Sequence, residues 1–343
     1  MAEKVSKGLI VLARESRGFS QLEVSNRVGM SQQNMGKIES GDIGIKDETL
    51  GQIAEITNYP ISFFRQENEV YPEHLVYRRR DKVSAGLLTP INARVNIIRF
   101  HVEHLLKVLP VSKPELPLFE VSEKNTPQAI AQKVRKTWQI NTPVIPNVVK
   151  LLEDNGIAIA CFDFGTERVD SRCIITDAKY PVIIFNKTLL GDRQRFSLAY
   201  QLGHLLMHTA FKVDWERDIA HEANLFAAEF LMPENEIRKD FEAGITLPLL
   251  AHLKTKWKAS MISLLYRADD LGFLTPNQKR YLIQQFNEQK LRRREPVELD
   301  IDIERPELIR RWISEVKSKQ KLDTNGIAAL LHLHTDEFIE IYG

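Results

Sequence analysis

The stretch RFSLAYQLGHLLMH, residues 195–208, decides how this chain is read. At about 100° per residue, Leu198, Leu202, Leu205 and Leu206 make one apolar stripe, while Phe196, Gly203 and Met207 fall elsewhere on the wheel. The spacing therefore predicts a helix that is apolar nearly all round, and such a helix is buried. Tyr200, Gln201, His204 and His208 share one narrow polar arc of it. Polar groups on a buried helix must meet polar partners or a solvent-filled pocket.

Working outward, three β-rich runs precede the helix: GIAIACFDF, SRCIITD and YPVIIFN. They predict a small antiparallel sheet, after which Asp192 is the expected helix cap. A second helix follows in DIAHEANLFAAEFLMP and stops at Pro233. It carries His221 and Glu222 near its start, with Phe226, Leu231 and Met232 packing. Sheet, RFSLAYQLGHLLMH and EANLFAAEFLMP together are similar to the ImmA/IrrE metallopeptidase-like domain, from about Val148 to Pro233. The resemblance implies a zincin-like domain of sheet plus helices. In that family two helical histidines and a glutamate from the next helix hold zinc, and a glutamate beside the first histidine polarises the attacking water.

Carried over residue by residue, the second histidine is His204 and the third ligand Glu222. The first ligand position holds Tyr200 and the general-base position Gln201. A phenol with an unperturbed pKa of about 10 binds zinc well only after losing its proton. A primary amide has no basic lone pair to take a proton from water. The expectation is a vestigial peptidase pocket of Tyr200, Gln201, His204 and Glu222, with no catalytic residue, metal or cofactor. Such a pocket is either a packed relic or a site for a peptide, small molecule or partner protein. Two alternatives stand beside it. One is a zinc metallopeptidase that cleaves a repressor with a shifted set drawn from His204, His208, His221 and Glu222. The other is an antitoxin-like partner protein.

The N-terminal residues carry a different signature. Leu9, Ile10, Leu12 and Ala13 recur at helical spacing, and Ser20 with Glu23 makes a capping box. Gly29 suits a tight turn, Ser31 can cap the next helix, Gly41 can close it, and Asp47 is the expected cap of a further helix bearing Leu50, Ile53 and Ala54. The helix after Ser31 turns Met35 and Ile38 inward and Gln32, Gln33, Asn34 and Lys37 outward. This stretch resembles the Xre/Cro-like helix-turn-helix family. The resemblance implies that Ser31, Gln32, Gln33, Asn34 and Lys37 lie on the recognition helix, where amides pair with adenine and lysine with guanine or phosphate. The implied partner is double-stranded DNA, met as a homodimer. A module used only for protein contacts is the competing reading, because acids and bases nearly cancel within it. YRRRDK, residues 77–82, reads equally as a phosphate grip or as a solvated charge run.

The remainder sets the frame. The chain has 343 residues, 43% apolar and 27% charged, with a formal net charge of +1, so a basic surface must be local. Cys161 and Cys173 read as buried free thiols of a cytoplasmic protein, and no stretch approaches the ~20 apolar residues of a membrane span. A helical stripe from Ile91 to Leu109 ends at Pro110. Thr126-Pro127 starts another helix, Pro143 and Pro146 precede a third, and Ser260 and Thr275 cap two more. LRRREP, residues 291–296, reads as a solvated loop, and an acid-rich extended link follows. The last residues repeat the spacing of the first module: Val28, Met30, Met35, Ile38 and Gly41 correspond to Leu331, Leu333, Phe338, Ile341 and Gly343. With Asp336, Glu337 and Glu340 in place of amides and lysine, this copy is expected to pack, not to read DNA. The fold class expected is mainly α with a small α+β domain: a helix-turn-helix domain over 1–68, a helical linker over 69–120, the metallopeptidase-like domain over 121–240 and a helical C-terminal region over 241–343.

Overall fold

The computed structural model describes residues 5–67, the backbone of 77–79, and residues 83–209, 216–292 and 294–343. Helices dominate it, with one small sheet. The N-terminal bundle contains α1 (Lys7–Ser16), α2 (Gln21–Arg27), α3 (Gln32–Ser40) and α4 (Asp47–Thr57). Local chemistry sets most of these ends. Ser20 and Glu23 form the reciprocal capping box, the Ser31 hydroxyl accepts from Asn34 N at 3.3 Å, and Gly41 closes α3 at φ 83°. Asp47 does not cap α4. Lys46 holds that position, and Asp47 lies in the first turn, where a carboxylate favours the positive helix end.

Helix α5 (Ala85–Val108) starts ahead of the expected Ile91 and runs through Pro90, whose missing N–H costs one bond of the helical ladder. It packs along α1 and is buried over most of its length. The C-terminal helices α14 (Leu308–Gln320), α15 (Thr324–Leu330) and α16 (Thr335–Tyr342) share its core.

The sheet departs from the expected antiparallel arrangement. It contains β1 (Tyr77–Arg79), β2 (Ala158–Phe162), β3 (Val169–Ile175) and β4 (Pro181–Asn186) in the order β1-β3-β4-β2. Strand β4 inserts between its two predecessors, pairing parallel with β2 and antiparallel with β3. Its six residues are all buried, and an unbroken apolar run suits an inner strand covered on both faces. The two faces serve different cores. Ala158, Ala160, Val182 and Ile184 join α1, α5 and α14, whereas Ile159, Cys173, Ile183 and Phe185 join the helices on the other side.

On that second side lie α6 (Pro127–Thr137), α7 (Val148–Asp154), α8 (Gly191–Met207) and α9 (Ile219–Leu231). They are followed by α10 (Glu234–Phe241), α11 (Leu247–Trp257), α12 (Met261–Asp270) and α13 (Pro276–Glu288). Asp192 is not the cap of α8; Leu190 is, and the Asp192 carboxylate is drawn to the buried ammonium of Lys254, which also bonds Glu295 at 2.7 Å. The acid-rich link crosses the start of α8 so closely that a Cβ on Gly191 would collide with the Ile301 and Asp302 carbonyls. Glu304 fixes the crossing. It pairs with buried Arg195 and accepts from Val149 N at 2.8 Å, while its backbone exchanges two bonds with the Gln194 amide at 2.6 and 2.9 Å. Among the described residues, no helix is long and apolar enough to cross a membrane.

Candidate functional site

Two places bring polar groups together, the exposed face of α3 and the buried arc of α8. On α3, Met35 and Ile38 are buried and Ser31, Gln32, Gln33, Asn34 and Lys37 are all exposed on the outer side, as the sequence requires. The helix is held by a network that the sequence does not display. Glu39 accepts from Arg14 Nε at 2.6 Å and from Gln21 Nε2 at 2.7 Å, joining α1, α2 and α3. Lys7 Nζ bonds the Ser40 carbonyl at 2.6 Å beneath the closing turn. The outer amides are thus presented on a fixed helix, which is what reading base edges requires. Of the two basic runs, the side chains of residues 77–82 lie outside the described residues. Arg294 of the second pairs with Asp300 in the same loop, and Glu295 beside it pairs with Lys254 on α11, so that part of the run is tied down.

On α8 the polar arc is buried. Tyr200 is 3% exposed, and Gln201 and His204 are fully enclosed. The rings of Tyr200, His204 and His208 follow one another along the helix, the first pair edge to face and the second tilted, with centroids 4.7 and 4.8 Å apart. His204 Nδ1 lies 2.8 Å from His208 Nδ1, and His208 Nε2 lies 2.8 Å from Glu222 Oε2. Arg217, just before α9, donates to both Glu222 oxygens at 2.9 and 2.5 Å. The Asp218 side chain caps α9 by accepting from the backbone His221 N, and His221 itself is exposed. Gln201 Nε2 donates to Ser171 Oγ on β3 at 3.1 Å. The Gln201 Oε1 and His204 Nε2 atoms are buried without a hydrogen-bond partner.

The charges of this cluster follow from its surroundings. Burial pushes the pKa of Glu222 up, but the Arg217 bond and then the His208 bond outweigh it and hold the carboxyl below its ordinary value. Burial, and then His208, pushes His204 down to about 3, and burial also lowers His208. At neutral pH the arrangement is therefore guanidinium, carboxylate and two neutral imidazoles. The carboxylate only accepts, so His208 Nε2 carries its proton and His208 Nδ1 is an acceptor. His204 Nδ1–H then donates to it, and His204 Nε2 is left with a bare lone pair. Among the described residues, no three His, Cys, Asp or Glu side chains stand where they could hold a metal ion.

A family model described as Helix-turn-helix matches residues 10–64, and one described as IrrE N-terminal-like domain matches residues 152–269. The chain is a helix-turn-helix module fused to an IrrE N-terminal-like domain. No curated protein matches it. In the IrrE-like domain, α8 and α9 are the two helices that the sequence singles out, and they pack against each other at Gly203, where a Cβ would stand 3.0 Å from Phe226 Cδ1. The structure gathers Tyr200, His204 and, through His208, Glu222 into one cluster, with Gln201 turned to β3. Arg217 and Ser171 are the members that sequence reasoning missed. Neither has a spacing signal, since Ser171 reaches α8 across 30 residues.

Proposed function

We propose that the protein is a cytoplasmic transcription regulator. Its helix-turn-helix module reads double-stranded DNA through α3, and its IrrE-like domain serves as a sensor or docking module without hydrolytic chemistry. One observation carries the second half: Glu222 and His208, two of the groups able to ligate, are already engaged with their neighbours. Glu222 gives its oxygens to Arg217 and His208, and His208 closes on His204.

Zinc, which the family implies, does not fit this donor set. His204 Nε2 offers one lone pair. Tyr200 would have to surrender a phenolic proton with a pKa ordinarily near 10, and recruiting Glu222 would break its bonds to Arg217 and His208. Gln201, at the general-base position, cannot accept a proton from water. No hydrolytic step is therefore assigned to the domain.

Operator recognition follows from exposed amides on a braced helix, with Gln32, Gln33 and Asn34 for base edges and Lys37 for guanine or phosphate. A single module of this kind buries little DNA, so two copies on a pseudo-palindromic site supply the remaining specificity. The test of both halves uses the purified full chain. It should shift DNA from upstream of its own gene, hold no stoichiometric zinc after dialysis against zinc, and leave a mixed peptide substrate uncut. Chelator-sensitive cleavage would overturn the regulator reading in favour of a metallopeptidase. The bare lone pair of His204 Nε2 is the observation on that side.

A further inference from the structure

The spacing shared by the two chain ends extends through three helices. With one constant offset, which the pair Gly41 and Gly343 misses by one residue, Gln21 falls on Thr324 and Gln32 on Thr335, the first residues of α2 and α15 and of α3 and α16. Leu9, Ile10, Ala13, Val24 and Met35 fall on Trp312, Ile313, Val316, Ile327 and Phe338, and every one of these is buried. The turns agree too. Gly18 (φ 72°) and Gly29 (φ 69°) correspond to Lys321 (φ 54°) and His332 (φ 53°), each in the left-handed region. The cap Ser20 corresponds to the cap Asp323, and the bond from Met30 N to Ser25 O, 2.9 Å, to that from Leu333 N to Ala328 O, 2.9 Å. Non-glycine residues hold a left-handed turn only where the surrounding fold requires it. The second unit is therefore a full counterpart of α1 to α3.

Its reading face has the wrong sign for DNA. Asp336, Glu337 and Glu340 stand at the positions of Gln33, Asn34 and Lys37, where carboxylates repel phosphate. Glu337 already has a partner. Its Oε2 accepts from Arg17 Nη2 at 2.7 Å, and Arg17 also donates to the Thr57 and Asn58 carbonyls at 2.7 and 3.2 Å and covers the Tyr59 ring at 4.3 Å. At the position of Glu39 stands Tyr342, 9% exposed, with its hydroxyl 2.8 Å from His101 Nδ1 on α5. The corresponding first helices, α1 and α14, both pack on α5.

We propose that residues 308–343 form a second helix-turn-helix unit whose reading face serves protein in place of DNA. Its partner is the first unit of the same chain: Glu337 grips Arg17 while Tyr342 anchors α16 on α5. The DNA-reading module is thereby clamped in one pose against the sheet of the IrrE-like domain.

Hydrogen exchange of the full chain tests the clamp without any DNA. Glu337→Arg should speed exchange roughly tenfold at Thr57–Tyr59 and in α16, the change expected from losing a charge-assisted hydrogen bond. Glu337→Gln keeps an acceptor oxygen and should stay near the parent. Asp336→Arg makes the same charge change on an exposed neighbour and should leave Thr57–Tyr59 alone. Equal responses to the two arginine substitutions, or none to either, would overturn the proposal. A second arm uses DNA from upstream of the gene: Asp336→Ala and Glu340→Ala should keep binding within about twofold, the usual range for surface changes. A tenfold loss would show the second unit on DNA and overturn it as well.

Discussion

His204 and His208 meet nitrogen to nitrogen, Nδ1 to Nδ1 at 2.8 Å, one helical turn apart. Only one of those nitrogens can carry the shared proton, and Glu222 decides which by claiming the other end of His208. The predicted state has His204 protonated on Nδ1 and His208 on Nε2. Long-range proton–nitrogen spectra at neutral pH read this directly. Finding His204 protonated on Nε2 would sink the assignment, and Glu222→Ala should release both rings from a single tautomer.

The reading face of α3 yields the second prediction. Gln33→Ala combined with Lys37→Ala should weaken operator binding by about 1–3 kcal/mol for each lost base contact. Lys37→Ala alone, if the lysine meets phosphate, should lower the salt dependence by about one unit of slope. Fluorescence anisotropy across a salt series checks both. An unchanged affinity in the double variant would remove α3 from the interface.

Acid stability follows from histidines buried in the neutral state. Burial pushes His101 and His204 down to about 3 and His332 to about 4. In the unfolded chain these imidazoles titrate near 6.5, so between that value and the folded ones the unfolded state binds more protons. Stability should be complete above pH 6.5 and fall as pH drops below it, by up to about 1.4 kcal/mol per unit for each histidine. Urea midpoints from pH 7.5 to 4.5 measure the slope. His101→Phe would also take away the ring nitrogen that meets the Tyr342 hydroxyl, so its slope, not its absolute midpoint, is the quantity to compare.

Glu304 gives the fourth. Its carboxylate neutralises Arg195, which is 1% exposed at the side chain and donates its second terminal nitrogen to the Ile145 carbonyl at 2.7 Å. Glu304→Ala strands that cation in the core and should cost about 3–5 kcal/mol, the range for breaking one side of a buried pair. A midpoint within error of the parent would mean that water reaches Arg195.

Local signals in the sequence translate well into structure. The Ser20–Glu23 box, the Ser31 cap, the Thr126-Pro127 start and the Gly41 stop all act within four residues, and each stands where its chemistry puts it. So does the buried arc of α8, because its periodicity is a property of one helix. Missed features depend on distant partners. Asp192 reads as a cap until Lys254, 62 residues on, competes for it, and Glu304 reads only as part of an acid-rich extended link until Arg195 is placed beneath it. The insertion of β4 between β2 and β3 is of the same kind. Three short strands in a row suggest neighbours in chain order, and only the unbroken apolar run of β4 hints at an inner place.

The middle of the sheet has a consequence for how the two halves of the molecule speak to each other. Ile183 and Ile184 are consecutive letters of one strand, yet one leans on the helices around His204 and the other on the core beneath the DNA module. They are two sides of a party wall. A displacement of α8 large enough to move β4 would have to disturb both rooms at once, because only a single thickness of backbone separates them.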